Sequence, residues 1–279
     1  MRLKLSTILL FVCGLLAPLE ATASVEFPFQ FHDGLLWINV SVAKAEKPLH
    51  FLLDSGAEVS TIDRRVLQSL GIKFGPRVVV SGVQSTETGY WPQRVKANVA
   101  GEALPRRMLA VDLTALSDVC SEPVDGLIGA DFFRDRIVQI DFRAQVIRLL
   151  TPAEAKEVSG ESLALDFRSC GMRVPVSIND HDAQWLRLDT GCVAALHWVA
   201  NSVDPTQCRP LLAIGLAKVS LSTTRVSARL GSEKFQNITA DLHQKEIFAG
   251  EAGLLGNGLL ARFSRVTVNA KSGRLILTK

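Results

Sequence analysis

Short apolar stretches rich in Val, Ile and Leu, bounded by Gly, Asn and Asp, recur along most of the chain. Their residues alternate between apolar and polar or form brief runs, which is the pattern of β-strands joined by tight turns. The segment VQIDFRAQVIRLL at 138–150, for example, predicts a strand, a turn at Arg143 to Gln145 and a returning strand. Helical periodicity is confined to short segments such as 63–70 and 115–119. The sequence therefore predicts an all-β fold.

The chain repeats itself. Five blocks occur in the same order in both halves: GLLWINVSV, HFLLDSG, GEALPRRMLAVDL, DGLIGADFF and IVQIDFRAQVIRLL, then GMRVPVSI, WLRLDTG, GSEKFQNITADL, AGLLGNGLL and RVTVNAKSGRLILTK. Asp54 precedes Gly129 by 75 residues, and Asp189 precedes Gly256 by 67. Since five matched pairs in order indicate duplication, we predict two homologous β-barrel-like lobes with a cleft between them.

The lobes are expected to span residues 24–152 and 153–279. The segment Thr151 to Ser162 is polar and lacks apolar alternation, which is typical of a linker. Two related lobes in one chain usually pack about a pseudo-twofold axis, by the logic of symmetric dimers. Features near that axis should therefore occur in pairs.

Residues 1–23 have the layout of a cleaved secretory signal. A basic start precedes an apolar run from Ile8 to Leu16, and small residues lead to Ala23. The alternative is a retained membrane anchor, but the run is short for a bilayer, which needs about 20 residues. We expect cleavage after Ala23 and a secreted or periplasmic protein with no membrane span.

Charge and cysteine content restrict the kinds of function that the chain could have. The 279 residues carry a formal net charge of +3 without any run of Lys and Arg, so nothing favours nucleic-acid binding. The cysteines beyond the signal permit three pairings, of which Cys192 with Cys208 is the closest in sequence and is our expectation. The alternative is that some are buried free thiols. No Cys/His spacing resembles a zinc site, and we expect neither metal nor cofactor.

Each half contains an aspartate that follows an apolar strand and precedes a hydroxyl residue and a glycine. The two tripeptides are Asp54-Ser55-Gly56 and Asp189-Thr190-Gly191. Two carboxyl groups brought face to face share a proton, so that one acts as base and the other as acid. Such a pair can activate water for peptide hydrolysis without a metal or a covalent nucleophile. The hydroxyls can bond across the two loops, and the glycines allow close backbone approach.

FLLDSGAEVSTID, with DGLIGADFF some seventy residues later, resembles one half of the aspartic peptidase superfamily of retropepsins and pepsins. LRLDTGCVAALHW with AGLLGNGLL resembles the other half. The resemblance implies that Asp54 and Asp189 are catalytic, and that the stretches ending at Gly129 and Gly256 thread beneath the aspartate loops. The short lobes and the signal resemble a bacterial, exported, single-chain relative of retropepsin.

Members of this superfamily close a β-hairpin flap over the substrate. Residues 77–99 are similar to such a hairpin, with a polar tip from Gln84 to Gly89. Tyr90 could then act on bound substrate; alternatively, it packs with Trp91 under the hairpin. The corresponding stretch of lobe two, AKVSLSTTRVSARL, predicts a much shorter turn, so we expect one working flap.

Three positions depart from the superfamily's pattern. Ala57 and Cys192 occupy the position after each glycine, where many pepsins carry a hydroxyl that favours the charged carboxylate. Losing that bond should raise the acidic pKa and move the pH optimum toward weakly acidic or neutral values. Asn257 replaces the acid found at Asp131, and we expect a tolerated surface or hairpin change.

The leading hypothesis is an aspartic endopeptidase acting on extended peptides with bulky apolar residues at the scissile bond. The alternative is a catalytically silent, pepsin-like peptide-binding protein that keeps the cleft. A further possibility is that the two tripeptides are only turns, which the ordered repeat disfavours. Because both halves of the site lie in one chain, we expect a monomer.

Overall fold

The structure is a computed structural model that describes residues 24–82, 85–168, 171–200, 207–211 and 219–279. The strands of the first half are β1 (Val25–Pro28), β2 (Gln30–His32), β3 (Leu35–Val42), β4 (Leu49–Leu53), β5 (Thr61–Asp63), β6 (Arg77–Gly82), β7 (Ser85–Tyr90), β8 (Ala97–Val99), β9 (Glu102–Ala103), β10 (Leu109–Val111), β11 (Gly126–Ile128), β12 (Ile137–Asp141) and β13 (Val146–Leu149). Those of the second half are β14 (Glu161–Ala164), β15 (Asp166–Arg168), β16 (Gly171–Ile178), β17 (Gln184–Leu188), β18 (Leu196–Val199), β19 (Gln207–Leu211), β20 (Val219–Leu230), β21 (Glu233–His243), β22 (Gly253–Leu255), β23 (Arg265–Asn269) and β24 (Arg274–Thr278).

Helices are short. They are α1 (Arg64–Ser69), α2 (Thr114–Ser117), α3 (Pro152–Lys156), α4 (Asn257–Leu260) and a 3-10 helix at Ala130–Phe132. Two of them, α1 and α2, coincide with the segments of predicted helical periodicity. The predicted all-β class is confirmed. No helix within the described ranges is long and apolar enough to cross a membrane.

Lobe one is built on a sheet with the order β6-β7-β10-β5-β11-β4-β3-β8-β9, in which β2 also pairs with β3. The central strand β4 lies between β3 and β11 and runs parallel to β11, so that Leu53 faces Ile128 in register. The last three residues of β4 and all of β11 are buried. Strands that are covered on both faces are continuous apolar runs, and these two segments have that character. The sequence FLL thus ends in the interior, immediately before Asp54.

Lobe two repeats this arrangement. Its sheet has the order β15-β16-β17-β22-β18-β21-β20-β19, and a further pairing of β16 with β20 closes it. Strand β22 runs parallel to β17, with Leu188 opposite Leu255, as β11 runs parallel to β4. Strand β21 likewise runs parallel to β18, as β10 does to β5. The predicted duplication is therefore present in the strand order of both lobes.

The two halves also share one sheet, with the order β1-β13-β12-β23-β24-β14. Each half contributes three matching strands, and β12 and β23 meet antiparallel at its centre. Gln139 lies opposite Thr267 there and donates a hydrogen bond to its hydroxyl at 3.0 Å. The pseudo-twofold axis that relates the two halves thus passes between Gln139 and Thr267. The main apolar cluster contains residues from both halves.

Two segments differ from expectation. The predicted linker contains α3, whose Thr151 forms a capping box with Glu154, and then enters β14 of the shared sheet. The stretch 217–230 holds no turn in its described part, because Val219 to Leu230 forms one continuous strand whose turn follows at Gly231. The expectation of a short turn within this stretch was therefore wrong.

Candidate active site

Asp54 and Asp189 each begin a loop at the end of a central strand. The Asp54 N–H donates to Ile128 O at 2.9 Å, and the Asp189 N–H donates to Leu255 O at 3.0 Å. Each aspartate is thus fixed by the last residue of the parallel strand beside its own strand. Because the two loops have the same construction, the pseudo-twofold relation brings the two side chains together.

The two carboxyl groups are hydrogen-bonded to each other. Asp54 is 9% exposed and Asp189 is 8% exposed. A Cβ on Gly56 would lie 2.5 Å from both carboxyl oxygens of Asp189, and a Cβ on Gly191 would lie 2.5 Å from Asp54 Oδ1. Each glycine therefore makes room for the aspartate of the opposite lobe.

Reciprocal bonds from Ser55 and Thr190 lock the loops together. Ser55 Oγ donates to Leu188 O at 2.7 Å and accepts from Thr190 N at 3.0 Å. Thr190 Oγ1 donates to Leu53 O at 2.8 Å and accepts from Ser55 N at 2.9 Å. Each hydroxyl donates one hydrogen bond to the opposite lobe and accepts one from it. These contacts agree with the predicted cross-loop role of both residues.

The glycines at the ends of the threaded strands allow close packing beneath the loops. A Cβ on Gly129 would lie 2.7 Å from the backbone nitrogen of Ser60. One on Gly256 would lie 2.6 Å from the carbonyl oxygen of Cys192. Any larger residue would push the aspartate loop away, which explains the glycine in both repeats.

Burial raises the pKa of both carboxyls, and the charge on Asp54 raises that of Asp189 further, well above the usual value. Backbone N–H groups oppose this effect. Asp54 Oδ1 accepts from Gly56 N and Ala57 N, both at 3.0 Å, whereas Asp189 Oδ1 accepts from Gly191 N at 2.9 Å. The better-bonded Asp54 is therefore the charged partner, and Asp189 holds the shared proton.

Asn257 does not take the place of Asp131. Ala130 N donates to Ala57 O as Asn257 N donates to Cys192 O, so Ala130 is the counterpart of Asn257. Asp131 accepts from the backbone and the hydroxyl of Ser60, at 2.9 and 2.6 Å. Asn257 is buried, and its amide donates to Thr190 O at 2.7 Å and to Gly34 O at 2.8 Å. The prediction of a surface or hairpin change at Asn257 was wrong, because an amide donor here joins the second aspartate loop to lobe one.

Arg187 is a site residue that the sequence analysis missed. It is 1% exposed, and its guanidinium binds both carboxylate oxygens of Glu251, at 2.7 and 2.8 Å. It also donates to Gly56 O at 2.9 Å. The signal was available: Arg187 occupies the position that Leu52 has in the first repeat, two residues before the aspartate.

A cleft of about 550 Å³ opens beside the dyad. Lobe one contributes a mostly apolar wall that includes the flap strand β6, and lobe two contributes Arg187 and Phe248. Val79 on the flap strand is 69% exposed, which is unusual for a large apolar side chain in this protein. The shape and the lining suit an extended chain with apolar side groups.

The predicted flap hairpin is formed by β6 and β7. Gln84 lies outside the described residues. Tyr90 is at the base of the hairpin, where it stacks on Phe74 with ring centres 5.2 Å apart, whereas Trp91 lines the cleft. The structure therefore does not bring Tyr90 to the cleft, and packing under the hairpin is its observed role. A Cβ on Gly89 would lie 2.6 Å from the Val80 side chain, so glycine at this position leaves room for Val80 of the facing strand.

Cys192 is a free, buried thiol, so the expected disulfide with Cys208 is not formed. The side chain of Cys208 lies outside the described residues, but its strand β19 is at the sheet edge, separated from β18 by β20 and β21. Cys192 instead lies against Gly256 beneath the dyad. Burial and the neighbouring Asp189 raise the pKa of its thiol, which is therefore neutral.

Comparisons with known proteins bear on this geometry. The family model described as Aspartyl protease matches residues 38–132, which include Asp54, the flap and Gly129. The resemblance to the aspartic peptidases is confirmed. The crystal structure of Basic 7S globulin from soybean matches with a TM-score of 0.53 at 10% identity, covering 91% of this chain and 94% of that one. At that identity the likeness shows the pepsin-like fold alone.

No curated protein matches the chain. The pepsin-like fold thus extends over both lobes, while the family match covers residues 38–132 of lobe one. Among the described residues, no cluster of His, Cys, Asp and Glu side chains is arranged to hold a metal ion.

Proposed function

We propose that this chain is an exported aspartic endopeptidase that hydrolyses peptide bonds with the pair Asp54 and Asp189. The observation that carries the proposal is the buried, mutually hydrogen-bonded carboxyl pair at the floor of an apolar cleft. Two loops of matching construction hold this pair, and each loop supplies an aspartate, a hydroxyl residue and a glycine.

In the proposed reaction, charged Asp54 takes a proton from a water molecule whose oxygen attacks the peptide carbonyl carbon. Protonated Asp189 donates its proton to the carbonyl oxygen, giving a tetrahedral diol. Asp54 then passes its new proton to the leaving nitrogen, the carbon–nitrogen bond breaks, and Asp189 recovers a proton from the diol. The dyad thus returns to its starting state with one shared proton.

The substrate is proposed to be an extended peptide with bulky apolar side chains near the scissile bond. Val79, Trp91 and Leu113 are among the side chains that line the cleft on the lobe-one side. Burying apolar side chains against this wall provides the binding energy, at roughly 25 cal/mol per Å² of apolar surface removed from water.

Cleavage of a mixed peptide pool by the chain from Ser24 to Lys279, scanned from pH 3 to pH 8, tests the proposal. Asp54→Asn and Asp189→Asn should each reduce cleavage by about 1,000-fold or more, because acid–base catalysis requires both carboxyls. Asp112→Asn is the control, since Asp112 bonds Arg64 and Thr114 on the surface.

A folded chain that cuts no peptide at any pH would overturn the proposal and leave a peptide-binding protein as the better account. Export is tested separately. N-terminal sequencing of the protein recovered from the producing cell should begin at Ser24, and recovery of residues 1–23 on the protein would contradict it.

A further inference from the structure

Arg187 breaks the symmetry of the two aspartate strands. Leu52 and Arg187 occupy matching positions in β4 and β17, two residues before each aspartate. Leu52 is buried in an apolar cluster with Trp37 and Leu127. Arg187 is equally buried, so lobe two has a charged side chain where lobe one has an apolar one.

The guanidinium is held rigidly from its own lobe. Glu251 binds it through two parallel bonds and is itself 4% exposed. The guanidinium carbon of Arg187 lies 3.5 Å from the centre of the Phe248 ring. Bidentate pairing and stacking on an aromatic face fix both the position and the plane of an arginine. Both partners belong to the loop at 244–251, which also lines the cleft through Phe248.

The third contact of Arg187 crosses to lobe one. Its Nη1 donates to Gly56 O at 2.9 Å, and the N–H of the same Gly56 donates to Asp54 Oδ1 at 3.0 Å. The strand that carries Asp189 therefore holds the backbone that orients Asp54. Leu52, being apolar, cannot make the reciprocal bond to the second loop.

We propose that Arg187 is a positioning residue that fixes the Asp54 loop from the opposite lobe through the Gly56 carbonyl, and that the loop at 244–251 serves catalysis by holding Arg187. This inference rests on the proposed peptidase function and deepens it. Phe248 and Glu251 are then part of the machinery through their contacts with Arg187.

Electrostatics agree with this arrangement. The positive charge of Arg187 lowers the pKa of both Asp54 and Asp189, against the effect of burial. Three further titratable groups lie near this arrangement in the described chain. Glu251 is paired with Arg187, the exposed Glu58 lines the cleft, and the neutral thiol of Cys192 interacts with Asp189. Removing Arg187 should therefore shift the titration of the dyad to higher pH.

The test is the double variant Arg187→Leu/Glu251→Leu, which gives lobe two the residue of lobe one and leaves no lone buried charge. Its kcat should fall about 10- to 100-fold with a smaller change in KM, since a displaced catalytic group costs about that much. Carbon-13 NMR of the aspartate carboxyls should show the dyad titrating at higher pH than in the unaltered chain.

Arg187→Lys provides a second test with less risk to folding. It keeps the charge but loses the planar fork that reaches both Glu251 and Gly56. The titration of the dyad should stay close to that of the unaltered chain while kcat falls.

The matched control is Arg136→Leu/Glu102→Leu. Arg136 binds Glu102 through two bonds, at 2.6 and 3.1 Å, and stacks on Phe132, as Arg187 binds Glu251 and stacks on Phe248. The dyad should titrate in this variant as in the unaltered chain. An unshifted titration in Arg187→Leu/Glu251→Leu, or equal losses of kcat in both double variants, would overturn the inference. If the titration shifts but no form of the chain cleaves peptides, the peptidase proposal fails and the positioning role stands.

Discussion

The two lobes share the loops that bring the two carboxyl groups together, and they differ at the strand position two residues before each aspartate. The hydroxyls of Ser55 and Thr190 make the same pair of bonds to the opposite loop. By contrast, Leu52 of lobe one occupies the position that Arg187 has in lobe two, and an apolar side chain cannot make the bond of Arg187 to the opposite loop. Duplication therefore explains the geometry of the dyad, and divergence explains why a buried arginine of lobe two bonds the aspartate loop of lobe one.

The largest expected effect comes from the shared parts. Gly56→Ala and Gly191→Ala each place a methyl group against the carboxyl of the opposite lobe, where a Cβ would lie 2.5 Å from an oxygen. We expect each to reduce peptide cleavage by about 100-fold and to destabilise the fold by about 1–3 kcal/mol. Cleavage rates and thermal unfolding measure this. Because the two contacts mirror each other, a loss of cleavage in one variant and not in the other would contradict the equivalence of the two loops.

The next effect should be one-sided. Asn257→Asp replaces an amide that donates to Thr190 O and Gly34 O with a carboxylate facing two carbonyl oxygens. We expect a loss of about 3 kcal/mol in the free energy of unfolding at pH 7.

Asn257→Ala gives lobe two the residue that lobe one has at Ala130 and should cost about 2 kcal/mol, because it removes the buried donor without adding a buried charge. Urea unfolding compares the two variants. Equal losses would show that the added carboxylate has no cost of its own at this position.

Acid should damage lobe two first. His197 and His243 are buried there, with Nδ1 of one 2.7 Å from Nε2 of the other, and burial lowers their pKa values to about 3 and about 4. The unfolded chain protonates them near pH 6.5, so stability is full above that pH and falls as the pH drops toward 4, by about 1.4 kcal/mol per pH unit for each group.

His197→Asn/His243→Gln should flatten this decline in urea unfolding measured from pH 7 to pH 4. An unchanged slope would place the acid sensitivity elsewhere. The same decline should confine the proposed peptidase activity to weakly acidic or neutral pH.

The smallest effect tests the lock between the loops. Ser55→Ala and Thr190→Ala each remove one donor and one acceptor in the buried contact, at about 1–2 kcal/mol per variant. Since both side chains belong to one network, the double variant should lose less than the sum of the single losses. Strict additivity in urea unfolding would show that the loops act independently.

Much of this fold could be predicted from the sequence, because the signals are local and repeated. Two aspartates after apolar runs, each followed by a hydroxyl residue and a glycine, predicted the paired loops and their hydroxyls. What could not be predicted depends on partners far apart in sequence. Asn257 bonds a carbonyl 223 residues away, and Arg187 needs Glu251, 64 residues further on. The two alternatives for Tyr90 could not be separated for a similar reason, since Phe74 decides where it packs.

The most direct test of the central claim is a carbon-13 NMR titration of the Asp54 and Asp189 carboxyls in the unaltered chain, assigned with the two Asn variants. We predict two well-separated steps, with one proton retained by the pair above the ordinary aspartate pKa of about 3.9. Two independent titrations near that ordinary value would contradict the account, because the lobes would then carry two separate carboxylates and no dyad.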